Sequence, residues 1–303
     1  MREDGARAPL FVTGGTGFVG RAFLARVAGG GRRVSCLCRG AGPLPDGDGV
    51  RRVSGDLLNP ERYAAALEEA EVVVHCAALT GKASSAEHFR ANADGTRALV
   101  DACVRAGGKR FLHVSTIAAA YPDVRHYPYA LSKAEAERIV AASGLAHTIV
   151  RPTVVLGAGS TIGRSLARAV RAPVVPLFGD SRVQPVHVHD VAEVLAGIVE
   201  GDRFDGEVLD AGGPEAVPWP ELLARIGKAV CGRSPRLLRV PGRAAVAVLG
   251  AIESVTGPVL PVTAAQIYAF LCDGSARADF PGPREGRAWR SLDAMIQEMD
   301  ADG

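Results

Sequence analysis

The sequence predicts an α/β protein, a doubly wound parallel sheet with a smaller, mainly helical C-terminal lobe. Three observations predict it. Short apolar runs alternate with helix-spaced segments through the first half of the chain. Val72-Val73-Val74 is a β-branched run suited to a strand buried on both faces. After Pro152 the alternation loosens, and eight prolines between residues 173 and 241 punctuate it.

Taken in order, residues 10–13 form a first strand that runs into glycines, and 18–27 has helical spacing. Strands follow at 33–37, 50–54 and 71–76. One long helix is expected over 86–106, stopped by Gly107-Gly108. Residues 111–115 are the next strand, 130–142 a helix and 147–150 a further strand. Strands that alternate with helices need crossover connections, and crossovers make the strands parallel. This assigns residues 9–151 to the sheet domain, with 184–212 returning to it through a helix at 190–200 and a strand at 206–209. Residues 152–183 and 213–303 form the second lobe, a substrate-binding lobe. Its helices are expected at 218–230, 242–255 and 263–271, followed by a loop over 274–287 and a polar, frayed end.

At 303 residues with 48% hydrophobic and 22% charged, the chain is long and apolar enough to bury a sizeable core. A formal net charge of +2 gives no field that would draw nucleic acid, and the arginines are scattered. The most apolar late stretch, 244–252, is shorter than the roughly 20 residues a membrane span needs and reads as a core or interface helix. Residues 1–9 lack the apolar core of a secretory signal. The six cysteines include no Cys-x-x-Cys pair and mostly sit in apolar stretches. A cytoplasmic protein with free thiols is the expectation.

Val12-Thr13-Gly14-Gly15-Thr16-Gly17-Phe18-Val19-Gly20 closes the first strand and opens the first helix. Glycines let backbone approach a pyrophosphate, and the helix N-terminus presents unpaired N–H groups to it. The motif assigns Gly14, Gly15, Thr16, Gly17, Phe18 and Val19 to a dinucleotide. The second strand ends Cys36-Leu37-Cys38-Arg39 without the acidic residue that grips a ribose 2′-hydroxyl. Arg39 is placed to pair with a 2′-phosphate, so NADP(H) is expected over NAD(H).

On these residues the chain resembles the extended short-chain dehydrogenase/reductase family, of Rossmann fold and of epimerase/dehydratase type. Gly55-Asp56-Leu57 resembles its adenine-contacting element, and His75-Cys76-Ala77-Ala78 its fourth-strand motif beside the nicotinamide half. Asn92-Ala93-Asp94-Gly95-Thr96, Arg151-Pro152-Thr153 and His187-Val188-His189-Asp190-Val191 resemble three further elements in the family's order. The resemblance adds Asp56, Leu57, Ala77, Ala78, Pro152 and Val155 to the cofactor set. Residues 210–214, 260–271 and Gln184-Pro185-Val186 resemble the subgroup related to the nucleotide-binding accessory subunit of respiratory complex I. Some members of that subgroup bind NADPH without a demonstrated reaction.

Tyr129-Ala130-Leu131-Ser132-Lys133 matches the family's Tyr-x-x-x-Lys. On a helix the two side chains share a face. A phenol with a resting pKa near 10 needs a nearby ammonium to exchange protons at neutral pH. The resemblance also has Lys133 hold the nicotinamide ribose, so Tyr129 and Lys133 count among the cofactor contacts. Thr116, or alternatively Ser115, supplies the hydroxyl that hydrogen-bonds the substrate oxygen. Asn92 holds the catalytic helix or a relay water, or serves its own helix only. The segment from Thr116 to Tyr129 is short for a nucleotide-sugar enzyme, and Val183-Gln184-Pro185 replaces the expected Arg-Asp-Phe. The His187 and His189 rings are not expected to converge on a metal, and no further ligand cluster is evident in the sequence.

These features imply an NADP(H)-dependent oxidoreductase. Its partner is a small-molecule carbonyl or alcohol, and the family's helix-pair homodimer is one option. The alternatives are an epimerase or dehydratase that retains its cofactor, and a non-catalytic NADPH-binding assembly protein.

Overall fold

The computed structural model describes residues 7–28, 31–45, 49–256, 262–277 and 288–300. Expectations for residues 1–6, for Leu260-Pro261 and for 278–287 of the expected loop lie outside these residues.

The chain begins with β1 (Leu10–Thr13), α1 (Phe18–Val27), β2 (Val34–Cys38) and β3 (Val50–Ser54). It continues through α2 (Ala64–Glu68), β4 (Val72–His75), α3 (Ser85–His88) and α4 (Gly95–Arg105). Then come β5 (Arg110–Val114), α5 (Pro128–Ala141), β6 (His147–Pro152) and the short β7 (Val155–Leu156). Next are α6 (Thr161–Val170), β8 (Val175–Leu177), β9 (Arg182–Val183), β10 (Val186–His187) and α7 (Val188–Glu200). The remainder is β11 (Val208–Ala211), β12 (Val217–Pro218), α8 (Trp219–Cys231), β13 (Leu237–Arg239), α9 (Gly242–Thr256), α10 (Ala264–Ala269) and α11 (Leu292–Asp300).

Seven strands form one parallel sheet in the order β11-β6-β5-β4-β1-β2-β3. The direction of strand addition reverses between β1 and β4, so the loops leaving these two strands diverge and open a crevice at their C-terminal ends. One face of the sheet packs on α1 and α7 through Phe23, Leu24, Val191 and Leu195, all at the limit of burial. The other packs on α2, α4 and α5 through Leu67, Leu99 and Val140. Arg26 on α1 bonds Glu193 on α7 at 2.8 Å and fixes these two helices to each other.

A second core lies after β6. Leu166, Val170, Leu222, Ile226, Met295 and Ile296 bring α6, α8 and α11 together. A small third cluster joins α9 and α10 through Val246, Ala264 and Ile267.

Three readings of the sequence need correction. The long helix expected over 86–106 is broken by a wide π turn, Phe89–Asp94, between α3 and α4. Such turns carry one extra residue and re-aim side chains; here Asn92 is swung toward the loop after β4. The frayed end is instead α11, whose Leu292, Met295, Ile296 and Met299 recur at helical spacing and are buried. Helix α6 escaped notice altogether, although Ser160 caps it and Leu166, Ala167 and Val170 make its buried face.

Because α11 completes the second core, truncating its buried face is expected to destabilise the whole unit. Ile296→Ala should lower unfolding free energy by about 2–5 kcal/mol in urea titrations. Gln297→Ala, on the exposed face one residue on, should stay within about 0.5 kcal/mol of wild type. Equal behaviour of the two variants would remove α11 from the core.

Candidate active site

The crevice between β1 and β4 begins with the glycine turn. Gly14 adopts φ +72°, and a Cβ there would stand 2.5 Å from the Ala77 nitrogen. Only glycine permits this approach of two backbones. A Cβ on Gly20 would strike the Gly14 carbonyl at 2.2 Å, so the helix start is equally constrained. Gly17 caps α1 with no side-chain hydrogen bond, and the first turn carries no acid. The first N–H groups of α1 are thereby left to an anionic ligand.

One hydrogen-bonded chain pins this crevice. The Ala77 N–H donates to Thr13 Oγ1 at 3.3 Å. The Thr13 hydroxyl meets His75 Nδ1 at 2.6 Å, and His75 Nε2 meets Thr96 Oγ1 at 3.0 Å. The Thr96 hydroxyl in turn donates to the Asn92 carbonyl. One tautomer satisfies every partner: Nδ1 accepts, Nε2–H donates. Asn92 clamps the neighbouring loop. Its Oδ1 accepts from the Leu79 N–H at 2.7 Å, and its amide donates to the Leu79 carbonyl and to Ser132 Oγ on α5.

A cleft of about 780 Å³ opens above this turn. Gly14, Thr16, Gly17, Arg39, Asp56, Leu57, Ala77 and Ala78 line it, all of them residues singled out from the sequence. Gly15, Phe18, Val19, Tyr129, Lys133, Pro152 and Val155 lie off its walls. Gly15 faces Cys36 and Leu24, and Phe18, Val19 and Val155 pack against the core. Sequence reasoning missed Arg90, on the π turn, which joins the wall. It also missed Arg52, whose guanidinium donates to the Gly40 and Gly42 carbonyls and braces the loop carrying Arg39. Alternation along β3 gives no hint of either contact.

The residues present fit a dinucleotide. The glycine turn and uncapped helix suit a pyrophosphate, Asp56-Leu57 and Arg39 form the far rim, and Ala77-Ala78 give a small, uncharged wall beside β4.

Tyr129 opens the first turn of α5. Its ring packs edge-on against His88 with centroids 5.9 Å apart and lies 6.0 Å from Tyr127. Burial, with Tyr127 beside it, pushes the phenol above its ordinary pKa, while a hydrogen bond with Thr116 pulls the other way. Thr116 also caps the short turn after β5 by accepting from the Ala118 N–H. Ser115 faces elsewhere: its hydroxyl donates to Glu137, which also accepts a fork from Arg151. Neighbours on a strand end point to opposite faces, and here only Thr116 meets Tyr129.

Lys133 is fully buried one turn after Tyr129. Its ammonium donates to the Val114 carbonyl at 2.8 Å and to His113 Nε2 at 3.1 Å. Burial lowers its pKa to about 8, with Glu137 and Cys76 opposing. It therefore stays mostly protonated at neutral pH.

The expectation that the His187 and His189 rings do not converge is corrected. The chain turns into α7 at Val188, and the two rings lie 5.1 Å apart. His187 Nδ1 accepts from the His189 N–H, and Nε2 meets Glu298 at 2.7 Å. Among the described residues, no group of three or more His, Cys, Asp or Glu could hold a metal. None of the cysteines is in a disulfide. No helix among the described residues is long and apolar enough to cross a membrane.

Residues 10–212 match the NAD dependent epimerase/dehydratase family. The chain is 36% identical over 241 residues to the ceramide reductase of Caulobacter vibrioides, covering 78% of this chain and 74% of that protein. It is 28% identical to a 3-beta-hydroxysteroid dehydrogenase of Mycolicibacterium neoaurum, covering 80% and 75%. In structure it is similar to MoeE5 in complex with UDP-glucuronic acid and NAD, with a TM-score of 0.64 and 28% identity over 77% of this chain and 85% of that one.

The buried imidazoles make stability depend on pH. Burial, and then the Lys133 charge, hold His75 down at about 3, and the same causes with His75 hold His113 well below the ordinary 6.5. Between those values the unfolded chain binds more protons than the folded one. The stabilisation is therefore complete above about pH 6.5 and is lost as pH falls toward 3. Urea titrations should show a loss of about 2–4 kcal/mol between pH 7 and pH 5, above the range where carboxylates protonate. A flat profile across that interval would mean the two rings accept protons in the folded protein.

Proposed function

Because the chain belongs to the NAD dependent epimerase/dehydratase family, the extended branch of the short-chain dehydrogenases and reductases, we propose that it is an NADP(H)-dependent reductase of a carbonyl on a lipophilic substrate. Membership makes it an NAD(P)-dependent oxidoreductase. The observation that carries the finer reading is the hydrogen bond of Thr116 with Tyr129 on α5, the helix that Asn92 ties through Ser132 to Leu79 in the wall of the cleft.

The cofactor, when bound, supplies the hydride for the carbonyl carbon. The glycine turn and the first amides of α1 hold its pyrophosphate, and Arg39 holds the 2′-phosphate that marks NADP(H). The Tyr129 hydroxyl gives its proton to the substrate oxygen as that oxygen gains charge. A phenol held above its ordinary pKa stays protonated at neutral pH, the form that reduction needs. Thr116 donates a second hydrogen bond to the same oxygen. Lys133, whose ammonium is held by the Val114 carbonyl and His113, is the residue the family pattern gives to the nicotinamide ribose. Asn92 acts at one remove, by fixing Ser132 and thus α5. Ser115 has no part beyond its bond to Glu137.

Residues 152–183 and 213–303 are assigned to a substrate lobe. Tyr121 and Tyr127 lie within electrostatic reach of each other and of Cys272, which is beside Tyr268 of α10. This aromatic surround suits an apolar molecule better than a nucleotide diphosphate. The ceramide and steroid named for two relatives are apolar in the same sense.

Tyr129→Phe is expected to lower kcat for an apolar ketone by about 10²–10⁴, with NADPH binding changed only a few-fold. Retained turnover would reject the acid role. Arg39→Ser should weaken NADPH binding about 10- to 100-fold in fluorescence titration and leave NADH binding unchanged. Equal loss for both nucleotides would reject the 2′-phosphate contact.

A further inference from the structure

Helix α9 is apolar around its exposed arc. Ala244, Ala247, Val248, Ala251, Ile252 and Val255 follow one another at helical spacing on the exposed side. Val248 is 60% exposed, Ile252 41% and Val255 86%. The opposite side already packs on α10 through Val246. An amphipathic helix on a protein surface turns polar residues outward; this one presents apolar residues on both sides. Leu238, on the strand before it, is 57% exposed.

The stretch leading into this helix is strongly basic. From 228 to 243 the chain carries Lys228, Arg233, Arg236, Arg239 and Arg243 and no acidic residue. All five are exposed, and none is ion-paired among the described residues. The whole chain has 35 cations against 33 anions, so the rest is slightly acidic and the positive charge is concentrated here.

We propose that α9 and the basic segment before it form a docking surface for an anionic lipid bilayer. Apolar residues flanked by cations are what a helix lying in the headgroup boundary needs. Charge selects this occupant over a second copy of the chain. A two-fold interface would set the same five cations against themselves. The helix is also only about 22 Å long, and its single face is small beside the area a stable dimer buries. The docking itself does not depend on the proposed reaction.

The test uses the full chain and vesicle co-sedimentation, with no turnover measured. Vesicles of phosphatidylcholine containing phosphatidylglycerol should bind at least about tenfold more tightly than phosphatidylcholine alone, and salt should weaken the binding. Val248→Asp with Ile252→Asp, and separately Arg239→Glu with Arg243→Glu, should each reduce binding about tenfold or more. Both variants should keep wild-type thermal melting and NADPH binding, which separates lost docking from lost folding. Equal binding to neutral and anionic vesicles, or no effect of either variant, would overturn the proposal. So would a concentration-dependent dimer in sedimentation velocity that Val248→Asp abolishes.

Discussion

The site depends on a neutral imidazole at the point where the sheet changes direction. His75 has both ring nitrogens satisfied, by Thr13 at the end of β1 and by Thr96 at the start of α4. A buried donor or acceptor left unpaired costs more than a hydrogen bond contributes, so the chain of bonds works as a unit. It fixes how far β1 and β4 part, and so the floor on which the cleft stands. Protonation of the ring would turn an acceptor into a donor against the Thr13 hydroxyl. The Lys133 charge below it reinforces the neutral state, because two like charges repel in that buried space.

A second buried unit serves α5. Glu137 accepts from Arg151 through two nitrogens and from Ser115, joining the helix that carries Tyr129 to the ends of β5 and β6. A forked arginine–carboxylate pair fixes orientation as well as distance. Asn92 holds the same helix from its other side through Ser132. Tyr129 itself makes few fixed bonds, yet its backbone is constrained from both sides. Its position is thus determined by groups that never touch a substrate.

Much of this was legible in the sequence, for a physical reason. The glycine turn, the Arg39 rim and the Tyr129–Lys133 spacing are local patterns, in which backbone geometry alone relates the residues. The parallel sheet was legible from the alternation of runs such as Val72-Val73-Val74 with helical segments. What escaped was long-range. The bond that turns Ser115 away from Tyr129 runs to Glu137, 22 residues away from Ser115. The role of Arg52 rests on carbonyls across a loop. Helix α11 looked polar because its buried apolar residues number only four, and their value appears only when α6 and α8 are in place. The π turn was hidden because an extra residue in a helix leaves its composition unchanged.

The close approach at Gly14 has an evolutionary corollary. Where two main chains nearly touch, no substitution can tune ligand preference, so that part of the cleft is frozen. Arg39 stands at the opposite extreme, exposed and at the tip of a strand. On the proposed role of Arg39, descendants of this sequence could exchange one nucleotide currency for the other by changing a rim residue, while the hinge of the fold passes unchanged from one lineage to the next.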